Sequence, residues 1–538
     1  MRKLAYIVAL LFLLACARDD QNDDLKIFRY NEAAGISSLD PAFARDLANI
    51  WACNQLYDGL VKLDDQLNVQ PAIAKSWEIS EDALQYTFYL RDDVYFHDNQ
   101  VFKEGRGRKV TAYDVEYSFY RILDPETASP GLWVFNQVAD SGFKALNDSV
   151  FAIRMKQPFM PFLGLLSMQY CNIVSREAVE YYGADFRMNP VGCGPFKFQY
   201  WKEGVKLVFH KHPDWYEKDE KGNQLPYLDA VAITFLIDKQ SAFLQLVQDK
   251  IDFLSGIDAS YKDELLTPDG KLNTAYQNRV YLLREPYLNT EYLGIMIDPE
   301  IINIEDNPLK NKLIRQAISY GFDRVKMMRY LRNNIGIPGE QGIIPAGMPS
   351  YDPGSEYGYT FDPETAAQLL TQAGYPGGEG LPPITITTSS EYLDLCKYIQ
   401  HELAMIGIEI RISVSPPAAI REMKAQAKIP FFRASWIADY PDAENYLSLF
   451  YSRNFSPAGP NYTHFASEDF DELYAASLSM VSDSLRYKAY RAMDALVMQE
   501  ASVVILFYDE VLRFVRHGVK GLGSNPVNLL DLSRVDKE

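Results

Sequence analysis

The chain has 538 residues, more than one hydrophobic core can organise, so we expect two to four domains or lobes. Hydrophobic residues make up 47% and charged residues 23%, which is typical of a soluble globular protein. The formal net charge is -19, and so acidic a surface repels phosphate backbones, which argues against nucleic acid as a partner.

The beginning of the chain has the pattern of a bacterial lipoprotein signal. Two basic residues precede an apolar run, Leu4–Phe12, and Leu13-Leu14-Ala15 then leads to Cys16. The apolar stretch is roughly a dozen residues long, whereas a membrane-spanning helix needs about 20. We therefore predict that residues 1–15 are a signal peptide that is removed and that Cys16 is lipidated. The alternative is an ordinary signal peptide with an accidental cysteine.

Residues 16–24 form a polar, acidic stretch that we interpret as a solvated tether between a membrane and the folded body. Several acyl chains on one cysteine anchor a protein stably, whereas a single chain does not. We expect the protein in the bacterial cell envelope, in the periplasm or at the cell surface, held to a membrane only through Cys16.

The other cysteines and the histidines do not indicate a metal site. No CxxC pair occurs, and Cys171 and Cys193 either form a disulfide or are small buried thiols. His210 and His212 are two residues apart in an apparent strand and are expected to share a face. Two ligands do not complete a zinc site, so we predict no metal.

Strand-like and helical runs interleave along the chain, which indicates α/β or α+β lobes, and we predict an α/β fold. Asp362 and Pro363 mark a helix start and Gly374 its end, and the two strands that follow flank a further helix as a βαβ unit. The predicted elements are strands over Gln85–Leu90, Ile384–Thr388 and Ile408–Ile412, and helices over Leu309–Leu331, Asp362–Gly374 and Tyr392–Ile406.

Motifs that would indicate catalysis are missing from the sequence. It has no GxSxG, GxxxxGK[ST], HExxH or GxGxxG pattern, and carboxylate pairs carry no information in so acidic a chain. The prediction is therefore a binding protein without cofactor, not an enzyme.

Several ordered segments resemble the family 5 extracellular solute-binding proteins of ABC importers, which include the oligopeptide- and dipeptide-binding proteins. The resemblance implies a periplasmic-binding-protein fold of type II, with two lobes, a hinge and an extra small domain. The segments that carry the resemblance are Leu39-Asp40-Pro41, Leu56–Leu60, Pro71–Trp77, Thr87–Arg91, Val94–Asp98, Thr111–Val115, Asn189–Phe196, Ile314–Ile318, Asp323-Arg324 and Asp362–Tyr375.

The resemblance also implies a division of the chain. Lobe I would comprise 25–58, 186–289 and 505–538, the extra domain 59–185, and lobe II 290–504. The hinge crossings would lie near Tyr292–Ile297 and Val503–Tyr508.

The segment Arg433–Tyr440 resembles the strand on which oligopeptide-binding proteins lay their ligand. By this resemblance Asp439 binds the peptide's α-ammonium, and Arg433 either receives its carboxylate or braces the hinge. The intervening Ser435, Trp436, Ile437 and Ala438 would line the ligand.

Two further positions come from the same resemblance. Trp133 and Phe135 fall where the family brings an aromatic loop from the other lobe. Arg45 stands where the oligopeptide binder has an acidic ligand contact, so ligand preference is expected to shift toward acidic peptides or away from peptides.

The predicted function is a monomeric, lipid-anchored receptor that captures peptides and delivers them to an ABC permease and its ATPase subunits. One alternative keeps the receptor and changes the ligand to a nickel chelate, haem, glutathione or a sugar. Another is a surface lipoprotein without a transport role.

Overall fold

The computed structural model describes residues 25–256, 262–298, 300 and 307–538. Within them, eleven strands form one mixed sheet and four form a second, antiparallel sheet. In chain order the described strands are β1 (Ile27–Asn31), β2 (Val61–Leu63), β3 (Val69–Pro71), β4 (Ala74–Ile79), β5 (Gln85–Leu90), β6 (Val138–Asn147), β7 (Val150–Met155), β8 (Phe196–Lys202), β9 (Lys206–Lys211), β10 (Ala230–Thr234), β11 (Phe253–Ser255), β12 (Val280–Ile295), β13 (Ile337–Pro338), β14 (Ile384–Thr388), β15 (Ile410–Val414), β16 (Phe431–Ile437), β17 (Val503–Arg516), β18 (Val519–Lys520) and β19 (Asp536–Lys537).

Helices pack against these sheets. In chain order the described α-helices are α1 (Leu47–Leu56), α2 (Ala112–Leu123), α3 (Phe162–Leu165), α4 (Arg176–Tyr182), α5 (Lys239–Val247), α6 (Lys262–Leu265), α7 (Lys312–Tyr320), α8 (Arg324–Arg332), α9 (Pro363–Gln372), α10 (Leu393–Ala404), α11 (Pro417–Ala425), α12 (Glu444–Leu447), α13 (Glu468–Ser477) and α14 (Asp483–Glu500).

The predicted βαβ unit is present. The carboxylate of Asp362 accepts the backbone N–H of Thr365 and caps α9, and Pro363 occupies its first turn. The parallel strands β14 and β15 flank α10, with Ile384 opposite Ile410. The predicted strand over Gln85–Leu90 is β5, and the helical stretch over Leu309–Leu331 is divided into α7 and α8.

Two long strands join the halves of the large sheet. The strand order is β15-β14-β16-β12-β17-β11-β1-β10-β9-β8, so the antiparallel pair β12 and β17 lies at its centre. Their register shifts between Pro286 and Thr290 and again between Glu291 and Tyr292. Such bulges bend a strand pair. The bends therefore begin before the predicted hinge segment Tyr292–Ile297, and the division into lobes remains a prediction.

The second sheet lies within the segment predicted as the extra domain. Its order is β4-β5-β7-β6, and α2 packs on it through Phe119, whose ring centre is 5.2 Å from that of Phe143. The core beneath this sheet is continuous with the core of the first half of the large sheet, since Phe28 and Tyr86 belong to one buried cluster. No break in packing therefore marks the boundary at residue 59.

The structure bears on the expected pairing of two cysteines and on the expected shared face of two histidines. Cys171 and Cys193 are both free and buried, which favours the thiol alternative over a disulfide. His210 is exposed on β9, whereas His212 follows the strand and is buried against His97, with ring centres 4.8 Å apart. The expectation of a shared face was wrong because β9 ends at Lys211.

The predicted signal peptide, Cys16 and the tether lie outside the described residues. None of the helices in the described ranges is long and apolar enough to cross a membrane.

A buried carboxyl group gives the fold a pH dependence. Asp494 on α14 accepts the backbone N–H of Ile343 at 2.8 Å, and burial raises its pKa to about 7. Because the folded state holds a proton that the unfolded state releases near pH 4, this contribution to stability is present at low pH and is lost as pH rises through about 7.

We expect Asp494→Asn to reduce the fall in the free energy of unfolding between pH 5 and pH 8 by about 3 kcal/mol. Urea unfolding at the two pH values measures it. Asp469→Asn, at an exposed site on α13, is the matched control and should leave the fall unchanged. Equal pH profiles for wild type and Asp494→Asn would contradict the assignment.

Candidate ligand-binding site

Strand β16 has one edge that no described strand covers along most of its length. One side pairs with β12 from Asn289–Ile437 to Ile295–Phe431, while the other side meets β14 at a single position, Thr387 opposite Phe432. From Arg433 to Ile437 the second edge is therefore open. An open edge is a template on which an extended peptide can add as a further strand.

Asp439 lies two residues beyond the end of β16. Its carboxylate accepts the Asn445 side-chain N–H at 3.4 Å, and no described cation pairs with it. The side chain is solvent-exposed, yet surrounding protein removes enough water to raise its pKa, an effect that Asn445 opposes in part. A carboxylate that is exposed and yet partly desolvated favours a positively charged partner.

Asn445 fixes the position of Asp439. Its side-chain oxygen accepts the indole N–H of Trp436 at 2.8 Å and the backbone N–H of Asp439 at 3.3 Å. The segment is held further by Ala438, whose backbone N–H donates to the Leu288 carbonyl at 2.9 Å. These bonds fix the turn after β16, so Asp439 is held in place before any ligand arrives.

The facing wall comes from the first third of the chain. The Trp133 ring lies 6.3 Å from that of Tyr440, between centres, so the predicted aromatic loop does reach the Asp439 segment. Phe135 does not take part: it is 2% exposed and packs against Phe119 and Phe143 in the core. The loop makes a tight turn there, and this directs Trp133 outward and Phe135 inward.

Arg45 is exposed and lines a cavity of about 1330 Å³ together with Phe43 and Pro130. The walls of this cavity come from residues 37–187, and Asp439 is not part of its lining. Tyr170 connects the two regions: burial raises its pKa, the charge of Arg45 lowers it and the charge of Asp439 raises it. The charges of Arg45 and Asp439 therefore both act on the Tyr170 phenol.

Arg433 is not a free cation. Its guanidinium forms an ion pair with Glu291 on β12 and stacks on Tyr392, 3.2 Å from the ring centre. The side chains of Arg433 and Glu291 are 13% and 5% exposed. Burial raises the pKa of Glu291, and Arg433 opposes that rise. Of the two predicted roles, this geometry favours bracing the central strands over receiving a ligand carboxylate.

The other side chains of the predicted binding strand alternate. Ser435 shares the Arg433 face and is half-buried, while Trp436 is half-buried on the opposite face. Ile437 is 49% exposed at the end of the strand, and Ala438 is buried beneath it. Trp436 thus braces the site through Asn445, and Ile437 presents an apolar surface next to Asp439.

Lys424 was missed by the sequence reasoning. It lies in the last turn of α11, with its ammonium 5.0 Å from the Tyr462 ring centre and 5.6 Å from that of Phe432. Burial lowers its pKa to about 8, with repulsion from Arg433 and Arg421 as further causes. No carboxylate of the described chain pairs with it. A lysine on an amphipathic helix is expected on the exposed face. Its spacing in the sequence therefore does not indicate a role in ligand binding.

No group of three or more potential metal ligands occurs among the residues that the structure describes. What the site brings together is an open strand edge, an unpaired carboxylate at one end and an unpaired ammonium at the other. This arrangement is suited to binding an extended zwitterionic molecule and contains no nucleophile activated by a base.

The fold and this arrangement define the class as a solute-binding protein. The sequence model of the bacterial extracellular solute-binding proteins, family 5, matches residues 68–457, and the chain belongs to that family. Its members bind solutes for ABC importers and work with a permease and its ATPase subunits; they are not enzymes.

Known proteins are similar to this chain over nearly its whole length. The glutathione-binding protein GsiB of Escherichia coli K12 is 24% identical over 488 residues, which cover 89% of this chain and 88% of that protein. The structure of HbpA2 from Haemophilus parasuis covers 95% of this chain and 100% of its own, at 23% identity and a TM-score of 0.83. The periplasmic binding protein DppA from Helicobacter pylori, in complex with the peptide STSA, covers 95% and 98%, at 25% identity and a TM-score of 0.70.

These similarities confirm the predicted family and the type II periplasmic-binding-protein fold. The names of the relatives include binders of glutathione and of peptides, so the family alone does not define the ligand.

Proposed function

We propose that this protein captures peptides as an added strand on the open edge of β16. The observation that carries the proposal is that this edge, Arg433–Ile437, leads to a desolvated carboxylate, Asp439, which has no cationic partner among the described residues. Main-chain hydrogen bonds to the edge do not depend on peptide sequence. Asp439 binds the α-ammonium and so fixes the position of the peptide's first residue.

Lys424 is the proposed partner of the peptide's carboxylate. It contacts the ring of Phe432 at the start of β16, whereas Asp439 lies beyond its end. The peptide therefore runs antiparallel to β16. An extended chain covers about 20 Å from Arg433 to Asp439, at about 3.3 Å per residue, so a peptide of roughly six residues reaches both charges. Shorter peptides engage Asp439 alone.

Hydrogen exchange tests strand addition directly. A hexapeptide with a free amino terminus should slow exchange of the backbone amides in β16, because its carbonyls accept them. The same peptide with an acetylated amino terminus should give little protection at the same concentration. The edge strand β15 is the internal control and should not change. Binding that leaves β16 exchange unaltered would contradict the proposal.

A second candidate ligand is glutathione or another γ-glutamyl peptide. Such a ligand carries an α-ammonium and an α-carboxylate on its first residue. Arg45 and Asp439 carry opposite charges that both act on the Tyr170 phenol, which suits such a pair, and GsiB is named a glutathione-binding protein. Competition calorimetry separates the candidates: at equal concentrations of glutathione and hexapeptide, glutathione occupies most of the sites only if it is the better ligand.

Anchoring through a lipidated Cys16 is part of the proposal, since it would hold the receptor beside its permease. We expect Cys16→Ser to move the protein from the membrane fraction to the soluble fraction, or to leave it unprocessed. Metabolic labelling with a radioactive fatty acid should mark the wild type and not the variant. A processed variant that still sediments with membranes would contradict the anchor.

A further inference from the structure

A basic groove crosses one face of the large sheet. Its cavity measures about 630 Å³, and its floor is formed by small apolar side chains. We call this the basic groove; its cations are Arg29, Lys197, Lys206 and Lys211, its floor residues Val208, Ala230 and Ala232, and its end residue Leu25.

The four cations of the basic groove have no carboxylate partner within the described ranges. Among the residues that the structure describes, the Arg29 guanidinium donates only to the Ile27 carbonyl, at 3.2 Å. Asp229, the acidic residue of the lining, accepts the backbone N–H of Lys26. A cluster of unpaired cations is unexpected in a chain of net charge -19, in which acidic residues outnumber basic ones by 72 to 53.

The chain enters the described structure at this groove. Leu25 is the first described residue and lines the cavity itself. The residues immediately before it, 17–24, carry four carboxylates and one cation: Asp19, Asp20, Asp23, Asp24 and Arg18. A segment with four acidic side chains therefore directly precedes, in the chain, a groove with four basic side chains.

Residues 17–24 are long enough to cross the basic groove. Eight extended residues span about 27 Å. The groove crosses from β1 over β10 and β9 to β8, which is three strand spacings, or about 14 Å. A short tether also gives a high effective concentration, so individually weak ion pairs hold together.

We propose that the acidic segment 17–24 docks in the basic groove of the same chain. Its carboxylates pair with Lys197, Lys206, Lys211 and Arg29, and its course over the sheet covers the apolar floor. Docking shortens the connection between Cys16 and the folded body and fixes which face of the sheet lies toward residue 16. The inference does not depend on the identity of the ligand.

Zero-length carbodiimide crosslinking of the full-length protein, read by peptide mass spectrometry, tests the docking. Crosslinks from the segment should join Lys197, Lys206 or Lys211 and avoid the exposed Lys75, Lys103 and Lys144. Lys26 is not scored because it adjoins the segment. The groove crosslinks should decline as salt rises, since exposed pairs are screened within about 10 Å at 0.1 M.

A charge-reversal pair with a matched control completes the test. The double variant Arg29→Glu with Lys206→Glu retains Lys197 and Lys211 as crosslinking sites. Crosslinks from the acidic segment to Lys197 and Lys211 should fall about fivefold or more in this variant. Lys75→Glu with Lys103→Glu changes net charge equally and should leave them intact. Crosslinks spread evenly over all exposed lysines would overturn the proposal. So would absent crosslinks together with groove-dependent binding to phosphatidylglycerol vesicles, which would make the groove a lipid-facing surface.

Discussion

Asp439→Asn is expected to lower the affinity for a free-amino hexapeptide by roughly 30- to several-thousand-fold. The wild-type carboxylate has no cationic partner in the described chain and has already lost part of its hydration. In the complex it would pair with the peptide's ammonium. Removing its charge leaves that ammonium without a counter-charge in the complex, which costs about 2–5 kcal/mol. Isothermal titration calorimetry measures the change.

The fold should survive this substitution. Because the Asp439 carboxylate is desolvated and unpaired, its loss removes an unfavourable charge from the unliganded protein, and the melting temperature should stay the same or rise. Asp469→Asn, at an exposed position, is the control and should bind the peptide as the wild type does. If Asp439→Asn binds within about threefold of wild type, Asp439 is not the ammonium site.

Glu291→Ala is expected to destabilise the folded protein by about 3–5 kcal/mol, which makes it the largest predicted effect on stability. Glu291 is the ion-pair partner of Arg433, and both side chains are largely withdrawn from solvent. The substitution leaves a buried guanidinium whose Nε already lacks a hydrogen-bond partner. Urea unfolding at neutral pH measures the loss.

The double variant Glu291→Leu with Arg433→Met separates stability from binding. Removing both charges and keeping the volume should restore most of the stability lost in Glu291→Ala. If Arg433 braces β12 and β16, the double variant should bind hexapeptides as the wild type does. A loss of affinity for the double variant, with stability restored, would instead assign Arg433 to the ligand carboxylate.

Local signals predicted the regular parts of the fold. Asp362, Pro363 and Gly374 placed α9 within two residues, and alternating apolar residues placed β5 and β14. These signals act within a few neighbouring residues, so they are visible in the sequence. The order of the strands in the large sheet is not, because β16 pairs with β12 across more than a hundred residues of chain.

The candidate site was predictable only where the family resemblance reached. It identified Asp439 and the loop of Trp133, which the structure places near each other through Tyr440. It did not show that Glu291 is the ion-pair partner of Arg433, because their pairing depends on the strand register. Lys424 was missed since its position against the Phe432 and Tyr462 rings follows from tertiary packing.

The same limit explains why Phe135 was wrongly expected to take part in the site. An aromatic residue two positions from Trp133 was expected to share its role, but the short helical turn between them reverses its direction. Side-chain direction in a loop is set by backbone angles that an unaligned sequence does not reveal.

The central claim is that the protein binds peptides through their free amino terminus. Mass spectrometry of the ligand released from protein purified out of its own cells tests it most directly. The account predicts peptides of mixed sequence with free α-amino groups in the wild type, and their absence from Asp439→Asn purified in parallel. A single non-peptide molecule, retained equally by wild type and Asp439→Asn, would contradict it.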